Sequence, residues 1–472
     1  MVKTPDITLG VVRGISYGLF GAPDRFLPQM RALGCRLARV YLTWNQLAPE
    51  PGRYDWSALD ALLEQVEPGD EIWLTVVSSS RWATKIATDF LPASPARDNA
   101  NYELFLGALV ARAAGRIRYW QCNNEPSNPG LWSGSAEDYA EQANIFAKVV
   151  HRLDRAAEVV LGGCGYDVLL SKPGSEPRKF FHTVLDRARP AFDLFAVHLY
   201  DDPSRIAEHV AEVRMMMLDH GYEREVVAGE YGGPTLLEFP ALEPVMHQVM
   251  AEAFAGGGPS LDSADLAKQG ETPDRRAMRT LYEKMGKLPR ELQMFMQGCP
   301  PALEARRDRI ACREMVTRNL LALAAGIRMT LCWNLGPEVP NYRDPYNMMG
   351  FLSDKLALMD FGGKGTLSKR KPAADALARL ATALEGMNGI RQLEMPPGLI
   401  GIEIARERGA LDVFWAAGDP FAGEDEPPQL LDWPWPHETV NATDAFGAAR
   451  PLFIKNGRLS LGLSVTPLFI EA

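Results

Sequence analysis

The sequence predicts an α/β fold: a (β/α)8 TIM barrel followed by a small antiparallel β-sandwich. Three observations predict it. Eight apolar, β-rich runs alternate with helix-period segments through most of the chain. Two of those runs lead directly into a glutamate, Glu125 and Glu230. After Gly389 the period falls to two, as in Ile400, Ile402, Ile404 and again in Leu411, Val413, Trp415.

The first strand is predicted over Ile7 to Tyr17, and a helix over Pro23 to Leu33 ends at Gly34, a residue suited to helix termination. Strand two covers Leu37 to Leu42, with a helix through Ala58 to Val66. Strand three, Glu71 to Val77, precedes a helix over Tyr102 to Ala114. Strand four, Ile117 to Cys122, runs into the Glu125 loop, and a helix spans Ala136 to Leu153. The fifth strand is Glu158 to Cys164, the sixth Asp193 to Leu199, the seventh Glu225 to Ala228 and the eighth Ile327 to Trp333, with a last helix over Pro372 to Leu384. Eight βα units close readily into a barrel. An open doubly wound sheet would want a phosphate-binding glycine loop, and LGGCGYD after strand five is not GxGxxG.

Residues 1–388 are expected to form the barrel, with a long insertion at about 235–305, and 389–472 the sandwich. The insertion carries helical pieces, DRRAMRTLYEKMG and RELQMFMQ, and a glycine-rich stretch from Gly256 to Pro259; the next helix begins near Arg306. Following strand seven, it should lie at the catalytic face of the barrel or form a purely structural lobe. In the tail, KNGR is a hairpin turn joining LFI to LSLGL, and WPWP reads as a surface loop in preference to a ligand platform.

Composition narrows the function. The 472 residues carry a net charge of −10, with 46% hydrophobic and 23% charged residues. No basic surplus exists to neutralise phosphates, so nucleic acid is not an expected partner. No apolar stretch reaches membrane-span length and no secretory h-region opens the sequence, so a cytoplasmic protein is expected. The six scattered cysteines form no CxxC pair and read as reduced, buried thiols. Seven histidines without HExxH or HxH argue against a metal site, and no cofactor is implied.

The chemistry lies in WQCNNEPSNPGLW and VVAGEYGGP. Two carboxyl groups at strand ends of one barrel face are what glycosidic bond cleavage needs. A retaining enzyme holds them about 5–5.5 Å apart, one protonated and one ionised. Glu125 follows Asn124 and precedes Pro126, which fixes the chain beyond it. Glu230 is followed by Tyr231 and two glycines that permit a sharp exit. A single strand-end glutamate is usually an ion-paired or surface residue; the pair on strands four and seven is far more specific.

On these motifs the chain resembles the retaining clan A glycoside hydrolases, nearest to glycoside hydrolase family 39-like enzymes. The resemblance implies Glu125 as acid/base, Glu230 as nucleophile and Asn124 as a ligand of the sugar 2-hydroxyl. It further implies Arg39, in RVYLTW, as a support of the nucleophile. His198 and Tyr200, in VHLY, become sugar-contacting and orienting groups, and Trp333 the aromatic floor. The chain departs from the family at Asn123, where an aromatic residue is common. From the residues alone, Arg39 could equally be a salt-bridged strand end and His198 a core histidine. Trp44, Trp82 and Trp132 lie in strand-end loops and could stack on sugars, with at least one expected only to pack. The expected activity is hydrolysis of a β-glycosidic bond in an oligosaccharide or other glycoside. The alternatives are a silent carbohydrate-binding barrel and a transglycosylase sharing the covalent intermediate.

Overall fold

A computed structural model describes residues 7–253, 262–264, 272–340, 342–362 and 366–472. Eight parallel strands close into a barrel in sequence order: β1 (Thr8–Gly14), β2 (Leu37–Thr43), β3 (Glu71–Val77), β4 (Tyr119–Cys122), β5 (Glu158–Cys164), β6 (Leu194–Leu199), β7 (Glu225–Tyr231) and β8 (Met329–Trp333). Their side chains are buried almost throughout, as expected for parallel strands covered by helices outside and packed side chains within.

The boundaries shift from the sequence expectation for local reasons. β1 ends at Gly14, earlier than Tyr17, because the amides of Ile15 and Ser16 turn away to Glu338 Oε2, at 2.9 and 3.1 Å. The first helix covers only Leu27–Ala32. Its opening amides, Phe26 and Leu27, donate to the Gln65 side chain at 2.8 and 3.3 Å, a cap borrowed from a distant segment. Helix Asn99–Ala113 starts earlier than expected because Asp98 caps the Ala100 amide.

β7 runs through Glu230 to Tyr231, so Glu230 lies inside the strand and not beyond it. The register against β6 slips at Gly229: Val197 faces Ala228, but His198 faces Glu230. A β-bulge of this kind re-aims the side chain that follows it, and here it turns Glu230 toward His198. A Cβ on Gly229 would meet Ala196 at 3.0 Å and Trp73 at 3.3 Å, so glycine suits the bulge.

The segment after β7 builds its own apolar cluster from helices Glu243–Ala253 and Pro273–Glu283, with Leu292, Phe295 and Ile310. RELQMFMQ is helical only over Arg290–Gln293. The long helix begins at Pro301, before Arg306, with proline in its first turn, and runs to Ala324. Ser263 donates to Asp89 at 2.8 Å and Thr88 donates to Asp262 at 2.9 Å, tying the insertion to the loop after β3. The glycine-rich stretch from Gly256 to Pro259 lies outside the described residues.

Beyond the barrel, β9 (Met359–Phe361) and β10 (Leu367–Arg370) pair antiparallel. The C-terminal part has two antiparallel sheets. One joins β11 (Met387–Gln392), β12 (Leu399–Arg406), β13 (Leu411–Ala416), β18 (Leu468–Glu471) and β15 (Asn441–Asp444). The other joins β14 (Gln429–Pro434), β17 (Arg458–Leu463) and β16 (Ile454–Lys455). Asn456 and Gly457, at φ of 53° and 69°, make the predicted hairpin turn. WPWP is not a surface loop. Trp433 lies in β14 with its ring edge-on to Phe414, and Trp435 is buried in the sandwich core. Among the described residues no helix is long and apolar enough to cross a membrane, and all six cysteines are free.

Candidate active site

The C-terminal ends of β2, β4, β6 and β7 gather one buried cluster. Arg39 and Tyr41 alternate inward on β2, as a two-residue period requires. Arg39 Nη1 donates to Glu230 Oε1 and to the Gly229 carbonyl, both at 3.0 Å. Its Nη2 donates to Asn124 Oδ1 at 2.7 Å and its Nε to Thr75 at 3.0 Å. Tyr41 donates to Glu230 Oε1 at 2.5 Å, and Tyr200 to Glu230 Oε2 at 2.6 Å. Both oxygens of Glu230 are therefore held by donors.

Burial by itself would push the Glu230 carboxyl up. His198, the Arg39 guanidinium and the hydroxyls of Tyr200 and Tyr41 outweigh it and hold the group below the ordinary carboxylate range. The phenols move the other way. Burial and the neighbouring Glu230 charge push Tyr200 well above its ordinary value, and burial does the same for Tyr41 despite Arg39. Both stay protonated donors to an ionised Glu230.

Glu125 stands opposite. It adopts a left-handed backbone, φ 40°, after Asn123 at φ 55°. Strain of this kind persists only where surroundings over-determine it. Here Asn123 Oδ1 accepts from the Ser78 amide at 2.7 Å and hydroxyl at 3.0 Å, anchoring the turn on the loop after β3. The His198 ring presents Nδ1 to Glu125 Oε1 at 2.5 Å and to Glu230 Oε2 at 3.4 Å. Two carboxyl groups thus face Nδ1, whereas Nε2 is buried with no partner.

The glycine run at the end of strand five now has a physical account. A Cβ on Gly163 would lie 2.0 Å from His198 Nε2, and one on Gly165 would lie 2.9 Å from Glu125 Oε1. One on Gly162 would meet the Tyr139 hydroxyl at 2.6 Å. The run makes room for the site. Gly163→Ala is expected to push the fully buried His198 ring off Glu125, lowering kcat/KM by about 10²-fold, the cost of an ångström-scale misplacement. Steady-state kinetics beside a thermal melt checks this; unchanged kcat/KM would show that the ring does not need this seat.

The donor atoms of Glu125, His198 and Glu230 lie within 4.8 Å of one another, a spacing that could also hold a cation. Arg39 and two hydroxyls already fill the Glu230 oxygens, and the guanidinium charge opposes a second cation there. The donor set suits proton transfer and nucleophilic attack by a carboxylate.

Other residues singled out in the sequence fall in different places. Asn124 joins the cluster, its Oδ1 taken by Arg39 and by Gln121 at 3.2 Å, with Nδ2 3.4 Å from Glu230 Oε1. Trp333 is half-buried, edge-on to the Tyr41 ring at 6.2 Å. Trp44 is not available to a sugar: it is fully buried, stacked on Phe105 and edge-on to Trp82. Trp132 is likewise buried against Tyr139, with its Nε1 on the Ser135 carbonyl. Half-buried Trp82 donates to the Ala48 carbonyl. Sequence reasoning missed Tyr41, although its inward parity with Arg39 could have found it. It also missed Asp167, which takes the Ser127 hydroxyl at 2.6 Å and is pushed up by burial and by Glu125, with Ser127 opposing.

Fold and cluster together define a (β/α)8 barrel with a pair of carboxyl groups at its C-terminal face and antiparallel sheets appended. No family model matches the chain, and neither does any curated protein. Solved structures do. A family 39 glycoside hydrolase from the gut symbiont Bacteroides cellulosilyticus WH2 aligns with a TM-score of 0.63 at 13% identity, over 98% of this chain and 80% of that one. A family 51 α-L-arabinofuranosidase from Bifidobacterium longum aligns at 0.56 and 13% identity, over 100% and 97%. A family 39 β-xylosidase from Caulobacter crescentus aligns at 0.55 and 12% identity, over 99% and 97%. At these identities the likeness is one of fold.

Proposed function

We propose that the protein is a retaining glycoside hydrolase that cleaves a β-glycosidic bond by double displacement. The observation that carries this reading is the pairing of a Glu230 carboxylate held ionised by four groups with a second carboxyl, Glu125, whose oxygen lies within 4.8 Å of it. An oxygen pair this close supports a retaining arrangement, with carboxyl groups about 5–5.5 Å apart, over an inverting one at roughly 6.5–9.5 Å. Glu230 attacks the anomeric carbon while Glu125 gives its proton to the departing glycosidic oxygen. Water then attacks the glycosyl-enzyme, yielding its proton to Glu125 and returning Glu230 as a carboxylate. Arg39, Tyr41 and Tyr200 stabilise the carboxylate as it leaves. Asn124, its carbonyl oxygen held by Arg39, turns its amide donors toward the sugar 2-hydroxyl. The half-buried Trp333 ring offers an aromatic floor. The glycoside hydrolases that share the fold support the same class of substrate.

The test is the anomeric configuration of the first product, followed by proton NMR on a panel of aryl and oligosaccharide β-glycosides. The expected first product is the β-anomer, which then mutarotates. An α-anomer appearing first would overturn the retaining assignment. Saturable binding without turnover across the panel would favour a silent carbohydrate-binding barrel.

A further inference from the structure

Behind Tyr200 lies a buried ionic cluster that makes no contact of its own with the carboxylate pair. Arg318, on helix Pro301–Ala324, is almost fully buried. Its Nη1 donates to the carbonyls of Leu199, at 3.1 Å, and Asp201, at 2.6 Å. The carbonyl between them, of Tyr200, accepts from the Thr235 hydroxyl at 2.7 Å. Three successive carbonyls, from the last residue of β6 onward, are thus held by these two side chains. The clamp is itself fixed. Arg318 Nε and Nη2 reach Glu314 Oε2 at 3.0 and 2.9 Å, and Nη2 reaches Glu238 Oε1 at 2.8 Å. Glu238 Oε1 also takes the Thr235 amide at 2.7 Å.

We infer that Arg318, with Glu238, Glu314 and Thr235, positions the Tyr200 hydroxyl on Glu230 and thereby sets the ionisation of that carboxylate. The inference rests on the site described above, in which Tyr200 donates to Glu230 Oε2 at 2.6 Å. Arg318 is a positioning residue, acting through the backbone of residues 199–201 and through Tyr200. The cluster also joins the start of the insertion, at Thr235 and Glu238, to the segment after β6 that carries Tyr200. Its two carboxyls share one guanidinium, and Glu238 Oε2 and Glu314 Oε1 are buried without a donor. Burial and Glu314 push the Glu238 carboxyl well above its ordinary range, Arg318 and the Thr235 amide notwithstanding. The other charged groups facing the cluster are Arg313, from the same helix and paired with Glu424, and Asp201, which is paired with His209 and Arg205. Gly233 leaves room for it: a Cβ there would fall 1.7 Å from Glu314 Oε2.

The experiment reads Glu230 directly, without substrate, by following its side-chain carboxyl carbon by 13C NMR against pH in glutamate-labelled protein, with Glu230→Gln assigning the signal. Arg318→Met is expected to raise the Glu230 midpoint by about 0.5 pH unit or more, because a loosened Tyr200 donates less to the carboxylate. In a Tyr200→Phe background the same substitution is expected to add nothing, since the group it acts through is gone. Thr235→Val, which removes only the hydroxyl on the Tyr200 carbonyl, gives a smaller shift of the same sign and serves if Arg318→Met does not fold. Arg318→Lys, keeping charge but not the fork, falls between. An unmoved Glu230 midpoint in Arg318→Met and in Thr235→Val would overturn the inference, and so would an equal shift with and without Tyr200. Because no turnover is required, failure of the glycosidase reading would show separately, as absent hydrolysis beside an intact titration pattern.

Discussion

Glu230→Ala is expected to lose turnover on every glycoside, by on the order of 10⁴-fold or more, because no glycosyl-enzyme can form without the nucleophile. Glu125→Ala should behave differently on the same substrates. A nitrophenolate needs little protonation to leave, so the glycosyl-enzyme still forms and then accumulates for want of a general base. Azide needs no base. It is expected to speed the decay of that intermediate in Glu125→Ala and to give a glycosyl azide of retained configuration. Proton NMR of the azide product, with the azide response of each variant, makes the check. Inverted azide from Glu125→Ala, with none from Glu230→Ala, would mean that the two roles are exchanged. Rescue of Glu230→Ala with inversion, leaving Glu125→Ala unaffected, would keep the nucleophile and remove the support for the acid/base.

The barrel was legible because parallel strands are buried on both faces and leave near-continuous apolar runs such as VVLGGC and LFAVHL, each followed by a helix-period segment. Boundaries were less so, because their causes are remote in sequence. Glu338 ends β1 from more than three hundred residues away, and Gln65 caps the first helix. The bulge at Gly229 left no period to read, yet it decides that Glu230 faces His198. In the site, the family resemblance was informative and the loop tryptophans were not. Arg39, Asn124, His198 and Tyr200 meet around the two glutamates, whereas Trp44 and Trp132, equally prominent in the sequence, are core residues. A tryptophan in a strand-end loop has the same letter whether it packs inward or faces a cleft. The glycine run at the end of strand five was visible but uninterpretable, because what it accommodates, the His198 ring and the Glu125 carboxyl, comes from elsewhere in the barrel.

Arg39→Met is expected to have the largest combined effect on stability and on the pH profile. The side chain is fully buried, donates to Thr75, Gly229, Asn124 and Glu230, and lies over the Tyr41 and Trp73 rings at 4.7 and 4.9 Å. Removing one partner of a buried pair leaves the other uncompensated, which typically costs about 3–5 kcal/mol. The pH dependence follows from the direction of the Glu230 shift. In the wild type its carboxyl lies below the ordinary range. Its contribution to stability is therefore fully present above the unfolded-state value, about 4.3, and is lost as pH falls through the lower folded value. Without Arg39, burial is opposed by His198 and the two phenols but no longer by the guanidinium, so the folded value rises. The loss of stability, and with it the acidic limb of kcat/KM, should move to higher pH. Arg39→Lys restores the charge but cannot span Glu230 and Asn124 together, so it should recover the limb more than it recovers kcat. Denaturant unfolding and kcat/KM profiles across the acidic range measure both quantities. An acidic limb unmoved in Arg39→Met would show that Glu230 is held ionised by other means, and that the limb belongs to a different group.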